Sequence, residues 1–336
     1  VCALTEHHDA LRMTFTENEH GEVVQYNRGI TEQHEEIFTL NVIDLSEETQ
    51  PEKRIAAEEK EIQQAMRLDQ GPLLHLGVFR LKEADHLLIT IHHLITDGVS
   101  WRILLEDLQT AYQQALDGKQ IELPPKSDSY IKYAEELFDI SKSKALLEEA
   151  AYWDSVMSGE TAPLPKITDE NAGRLQENAR TASWILSSEV TKQLLLETQQ
   201  AYGTDVHELL LTALGMALHE WTGSQQILIS TEGHGRQGHM PDIDMSRTAG
   251  WFTSVYPVLL DMRVPDGSGE TTAHRIKTVK DMMRRVPHHG TGYGLLRYSR
   301  NILYKDPEIS FNYLGAFDGL EGTLKMSPFK PQHDIA

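Results

Sequence analysis

Two histidines and an aspartate in the run His92-His93-Leu94-Ile95-Thr96-Asp97-Gly98 are the most chemically suggestive group in the sequence. Imidazole titrates near neutral pH, so it suits proton transfer, and a carboxylate four residues on can fix the loop that carries it. The residues before the pair, Leu87 to Ile91, are continuously apolar or β-branched and read as a buried strand ending at the histidines. Alternation along that strand sends His92 and His93 to opposite faces, one toward a cleft and one into the protein. A lone histidine pair is more often structural; the full seven-residue pattern with its turn favours chemistry.

Glu232 is a second candidate. It ends the apolar run Gln226-Ile227-Leu228-Ile229-Ser230-Thr231 and precedes Gly233-His234-Gly235-Arg236. A carboxylate in apolar surroundings is harder to ionise, which moves it toward the range useful for general acid–base work. An ion pair with Arg236 is the structural alternative, and the residues alone leave both open. His7, His8 and Asp9 also invite a metal reading, but adjacent side chains converge poorly on one ion, so no metal site is expected.

The elements that must position these groups follow from periodicity. Val23 to Tyr26, Phe38 to Val42, Leu73 to Leu81 and His86 to His93 read as strands, and Pro51 to Asp69 as an amphipathic helix stopped by Gly71-Pro72. After Asp97-Gly98, a helix carries Trp101, Leu104, Leu105, Leu108, Ala111, Tyr112 and Ala115 on one face and stops at Gly118. Tyr130 to Met157 is largely helical. Gly159 to Arg180 has no apolar period and marks a boundary. A strand over Ala182 to Leu186 follows, then helices over Ser188 to Tyr202 and His207 to Trp221, the latter apolar nearly all round. His274 to Arg285 is a helix bearing Arg275, Lys277, Lys280, Arg284 and Arg285.

The 336 residues carry 31 Lys and Arg against 51 Asp and Glu, a net charge of −20. That balance argues against nucleic acid and anionic membrane surfaces as partners. A single cysteine, Cys2, excludes an internal disulfide and fits a cytoplasmic location. No signal peptide or membrane-spanning apolar run is evident. The opening Val1-Cys2-Ala3, without methionine, is expected of a piece of a longer protein.

The His-His-x-x-x-Asp-Gly pattern resembles the active-site motif of the condensation-domain superfamily of nonribosomal peptide synthetases, relatives of chloramphenicol acetyltransferase. Gly98-Val99-Ser100-Trp101 resembles its epimerization branch. Five further segments resemble family motifs in order: Glu6 to Met13; Glu232-Gly233-His234-Gly235-Arg236; Arg247 to Pro257, with Ala249 where valine is commoner; Pro287 to Gly294; and Phe311-Asn312-Tyr313-Leu314-Gly315-Ala316-Phe317-Asp318. Gln237 stands where family members usually carry glutamate, and the family's N-terminal Pro-Ile-Gln-x-Trp-Phe segment is missing.

The resemblance implies an α/β fold with mixed sheets: two chloramphenicol-acetyltransferase-like lobes in a V-shaped pseudo-dimer, at 1–160 and 161–336, with a tunnel between them. It implies epimerization, L to D at Cα, of an aminoacyl or peptidyl thioester. A peptidyl carrier protein presents that substrate on its 4'-phosphopantetheine, with no metal or pyridoxal phosphate. His93 and Glu232 are then the catalytic residues. His92, Asp97, Arg12 as partner of Asp97, Arg236, Asn312 and Tyr313 support them. The basic residues of 275–285 would receive an acidic carrier. The alternatives are a condensation domain forming peptide bonds with the same histidine motif, and a catalytically silent carrier-recruitment module.

Overall fold

The computed structural model describes residues 1–30, 37–165, 179–236, 240, 242–265, 271–299, 306–315 and 324–325. The chain forms two compact units. One comprises Val1–Phe138, Met240–Thr253 and Leu314–Ala336, and the other Asp139–His239 and Ser254–Tyr313. The units are therefore discontinuous in sequence, unlike the single division at residue 160. Segment 240–253 belongs to the first unit because its backbone is bonded there: the Phe252 N–H ends on Asp97, and Gly250 on Ser100.

The first unit begins with a short helix α1 (Cys2–His7) and a hairpin of β1 (Met13–Glu17) with β2 (Val23–Asn27). Its mixed three-stranded sheet has the order β3-β4-β5. β3 (Thr39–Asp44) runs parallel to β4 (Leu74–Arg80), which is antiparallel to β5 (Asp85–Ile91). The parallel pair requires a crossover, supplied by α2 (Pro51–Gln64). Pro51 sits in the first turn of α2, where the missing N–H costs nothing. Helix α3 (Gly98–Leu116) lays Ile103, Leu104 and Ala111 inward, and Leu11, Leu73, Leu76 and Ile95 belong to the same buried cluster as Leu104 and Ala111. The reading of Tyr130 to Met157 as helix resolves into α4 (Tyr130–Ser141), in which the first unit ends, and α5 (Lys144–Met157), which belongs to the second. Ser143 caps the second by accepting from Leu146 N.

The second unit has the sheet order β7-β6-β8: β6 (Gln226–Gly233) pairs antiparallel with β7 (Ser254–Asp261) and parallel with the two-residue β8 (Ser310–Phe311). α6 (Ser188–Lys192) and α7 (Thr198–Tyr202) flank a π-helical turn, and Gly203 closes α7 at φ 58°. α8 (Val206–Thr222) starts with a reciprocal cap between Asp205 and Glu208. Its apolar circumference is explained by burial of Leu209, Leu211, Thr212, Gly215 and Leu218. α9 (Thr271–Arg284) and α10 (Thr291–Ser299) contribute Val279 and Leu296 to a core with Trp153, Leu211, Ile229, Tyr256 and Leu260.

One strand expectation fails outright. Ala182 to Leu186 is not a strand, and Trp184 and Ile185 stand 89% and 92% exposed. Among the described residues no strand pairs with this segment, and local β propensity alone does not make a strand. Within the motif Arg247 to Pro257, strand begins only at Ser254, because residues before it spend their backbone bonds on the first unit.

Candidate active site

In the first unit β5 ends at Ile91, two residues short of the expected strand end. His92 is extended, at φ −64° and ψ 133°, and His93 opens a 3-10 turn to Ile95. Strand alternation therefore does not orient the pair; the turn does. The half-buried His92 accepts from Leu94 N through Nδ1 at 3.2 Å. Burial, and secondarily His93, push the His92 imidazole below its ordinary range.

His93 is exposed, with Nδ1 2.8 Å from the carbonyl oxygen of Thr96. A carbonyl only accepts, so Nδ1 carries the hydrogen, and in the neutral ring Nε2 holds the lone pair that can take a proton. The Trp251 ring lies against the imidazole, with centroids 4.3 Å apart and planes at 46°. A ring held on one side and hydrogen-bonded at one nitrogen presents the other nitrogen in a fixed direction.

Asp97 is 1% exposed and works through its backbone partners. Oδ1 accepts from Ser100 N at 2.7 Å, capping α3, and Oδ2 accepts from Phe252 N at 3.1 Å. Ser100 Oγ donates to Gly250 O at 2.9 Å and accepts from Gly250 N at 3.1 Å. The segment passes so close to Tyr130 that a Cβ on Gly250 would lie 2.3 Å from the tyrosine Cδ2. These contacts tie the start of α3 to the residues that carry Trp251. Arg12 is not the partner of Asp97. Its guanidinium is held by Asp9 at 2.8 Å and by the carbonyls of Thr5 and Glu6, because the turn at Asp9–Arg12 brings those acceptors nearest.

In the second unit Glu232 sits one residue from the end of β6, half-buried, and its Oε2 accepts from Asn312 Nδ2 at 2.6 Å. Parallel pairing of Thr231 with Phe311 carries Asn312 to the level of Glu232. Charge-assisted bonds of this kind are short. Arg236 is half-buried, and its backbone N donates to His234 Nδ1 at 3.2 Å. Tyr313 is 37% exposed and stacks over His207, with centroids 6.3 Å apart. Gln237 and residues 316–318 lie outside the described residues.

The motif Pro287 to Gly294 forms a tight 3-10 turn leading into α10, with His288 and His289 at φ 44° and 51°. His288 Nδ1 lies 2.7 Å from Oε1 of the buried Glu149. Gly290, at φ 83°, is required by both backbone and space, since a Cβ there would fall 1.9 Å from Tyr256 Cδ1.

Sequence reasoning missed three features. Trp251 was passed over as one member of the motif Arg247 to Pro257. His207 lies in an apolar helix, where an imidazole straight after a cap was the available signal. His7 and His8 are joined by Asp107 from α3, and among the described residues the donor atoms of these three lie within 4.8 Å of one another. The convergence that neighbours in sequence could not provide comes from a third residue about a hundred positions on. Asp107 is already satisfied there, by His8 Nε2 at 2.9 Å and by the Arg247 guanidinium.

The basic helix is also partly committed. Arg275 donates to Met262 O at 3.0 Å, Lys280 to Tyr202 O at 2.6 Å and Arg284 to Gly203 O at 2.8 Å. The last two satisfy carbonyls at the end of α7. Lys277 and Arg285 are exposed.

The sequence profile of the condensation domain matches residues 1–335. The chain belongs to the condensation-domain family. This domain is 54% identical over 339 residues to one of the plipastatin synthase proteins of Bacillus subtilis (strain 168), covering 99% of the chain and 13% of that protein. It is 45% identical over 319 residues to bacitracin synthase 2 of Bacillus licheniformis, covering 94% of the chain and 12% of that protein. It therefore spans only a small part of the synthases it matches. Among solved structures, it superposes on the epimerization domain from the third module of tyrocidine synthetase B with a TM-score of 0.89 at 39% identity, covering 98% of this chain and 74% of that one. The first condensation domain of the CDA synthetase gives a TM-score of 0.71 at 20% identity, covering 95% and 71%, which establishes the shared fold. The mixed α/β architecture is that of condensation-superfamily domains of nonribosomal peptide synthetases. Among the described residues no helix is long and apolar enough to cross a membrane.

Proposed function

We propose that this condensation-family domain inverts the Cα configuration of an aminoacyl or peptidyl thioester held on the phosphopantetheine arm of a carrier protein. The observation that carries the reading is Glu232, a half-buried carboxylate at a strand end held by Asn312, which the histidine motif alone does not supply. The 39% identity to an epimerization domain supports it.

The thioester carbonyl acidifies the Cα proton by spreading the carbanion charge into an enolate. Inversion removes a proton from one face and returns one to the other, so it uses two groups able to hold a proton. Glu232 supplies one. His93 supplies the other through Nε2, or stabilises the enolate oxygen. The chemistry uses no metal or pyridoxal phosphate, since the thioester itself is the electron sink. The carrier's acidic surface meets Lys277 and Arg285 on α9 in this reading.

Peptide-bond formation is the competing activity, favoured by the histidine motif shared with condensation domains. Incubation with carrier loaded in parallel with a panel of L-amino acids in deuterated buffer, followed by chiral analysis, separates the two. Epimerization gives a mixture of L and D products with deuterium at Cα. Glu232→Gln keeps shape and hydrogen bonding but loses proton transfer, and slows inversion by about 10²–10⁴-fold. Amide formation without Cα exchange in the wild type would reject the proposal.

A further inference from the structure

His207 has no part in the motifs, yet it touches both strands that hold the Glu232–Asn312 pair. β6 and β8 run parallel with Ser230 opposite Ser310 and Thr231 opposite Phe311. Side chains alternate along strands, so Thr231, Phe311 and Tyr313 share one face, and Glu232 and Asn312 the other. His207, in the first turn of α8, lies on the first face. Its Nε2 is 3.1 Å from Thr231 Oγ1 on β6. Its ring stacks nearly flat on Phe311, with centroids 5.5 Å apart and planes at 14°, and over Tyr313 at 6.3 Å and 12°.

β8 is two residues long, and beside this pairing the N–H of Ser230 donates to Ile309 O at 2.8 Å. So short a ladder gives Asn312 little rigidity, although its amide must stay 2.6 Å from Glu232 Oε2. A neutral imidazole suits the clamp because it stacks on apolar rings without carrying a charge among them. Burial pushes the His207 imidazole down, against an opposing pull from Asp205, and the positive end of α8 acts in the same direction as burial.

We infer that His207 is a positioning residue: from the opposite face of the sheet it clamps β8 against β6 and so holds the Asn312 amide on Glu232. This rests on the epimerization reading for its consequence in catalysis, but not for its geometry.

The test compares His207→Ala, Asn312→Ala and the double variant by Cα deuterium exchange, together with the Asn312 side-chain amide resonances. Loss of a hydrogen bond to a charged group is worth about tenfold or more. His207→Ala should slow exchange by that order with little change in KM for the loaded carrier, and the double variant should be no slower than Asn312→Ala. His207→Phe, which keeps the stacked ring, should recover most of the rate and guards against a folding defect in the alanine variant. The Asn312 amide resonances should move in His207→Ala and stay near their wild-type positions in His207→Phe. Multiplying effects in the double variant, or unmoved Asn312 resonances in a folded His207→Ala, would overturn the clamp. If the wild type exchanges no deuterium, the epimerization reading falls while the resonances still decide the clamp.

Discussion

Replacing Asp97 with alanine removes its bonds to Ser100 N and Phe252 N together and tests how the histidine loop is held. The carboxylate caps α3 through Ser100 N at 2.7 Å and accepts Phe252 N at 3.1 Å, and it is 1% exposed. Loss of an N-cap costs about 0.5–2 kcal/mol. Leaving a buried N–H such as that of Phe252 without its acceptor costs about 1–3 kcal/mol. Together these give a central expectation of about 3 kcal/mol. At roughly 2–4 °C per kcal/mol, the thermal midpoint falls by about 6–12 °C. Asp97→Asn retains one acceptor oxygen and should lose about half as much. Circular dichroism melts of the three proteins measure the effect, with urea unfolding at fixed temperature as the check. Activity should fall with stability, because the Thr96 carbonyl that orients His93 precedes Asp97 directly. An Asp97→Ala protein melting within 2 °C of the wild type, with full activity, refutes the reasoning.

Stability should decline as pH falls below about 6.5, the ordinary histidine value. Burial is the first cause of lowered pKa at His7, His92 and His207, so between the lowered and ordinary values the unfolded chain binds more protons than the folded one. Urea midpoints at pH 7.5 and 5.5 should show the loss, smaller in His207→Phe; equal midpoints would contradict it. Lys277→Glu with Arg285→Glu should weaken binding of a loaded carrier at low ionic strength by about tenfold, and less in high salt. Arg284 is left intact there, since its bond to Gly203 is structural. Unchanged affinity at low salt would reduce this face of α9 to ordinary solvated surface.

The sequence by itself determined the elements whose signals are local. The helix from Gly98 to Leu116 was legible because a turn at Asp97-Gly98, an apolar face and a stop glycine at Gly118 follow one another directly. That β6 carries Glu232 near its end was legible from an unbroken apolar run. The order of motifs was legible too, and with it the family. What the sequence could not decide depended on which distant segment comes near. His92 and His93 looked like a strand's alternating pair, but the carbonyl of Thr96 and the ring of Trp251 set the position of His93. Arg12 looked like the partner of Asp97, yet a local turn gave it Asp9, and backbone amides 3 and 155 positions away took the aspartate instead. Ala182 to Leu186 had the composition of a strand but is paired with no strand among the described residues. Periodicity reports which face of an element is apolar; the tertiary fold decides which donor, acceptor or ring meets it, because hydrogen bonds and stacking depend on positions that chain-local pattern does not encode.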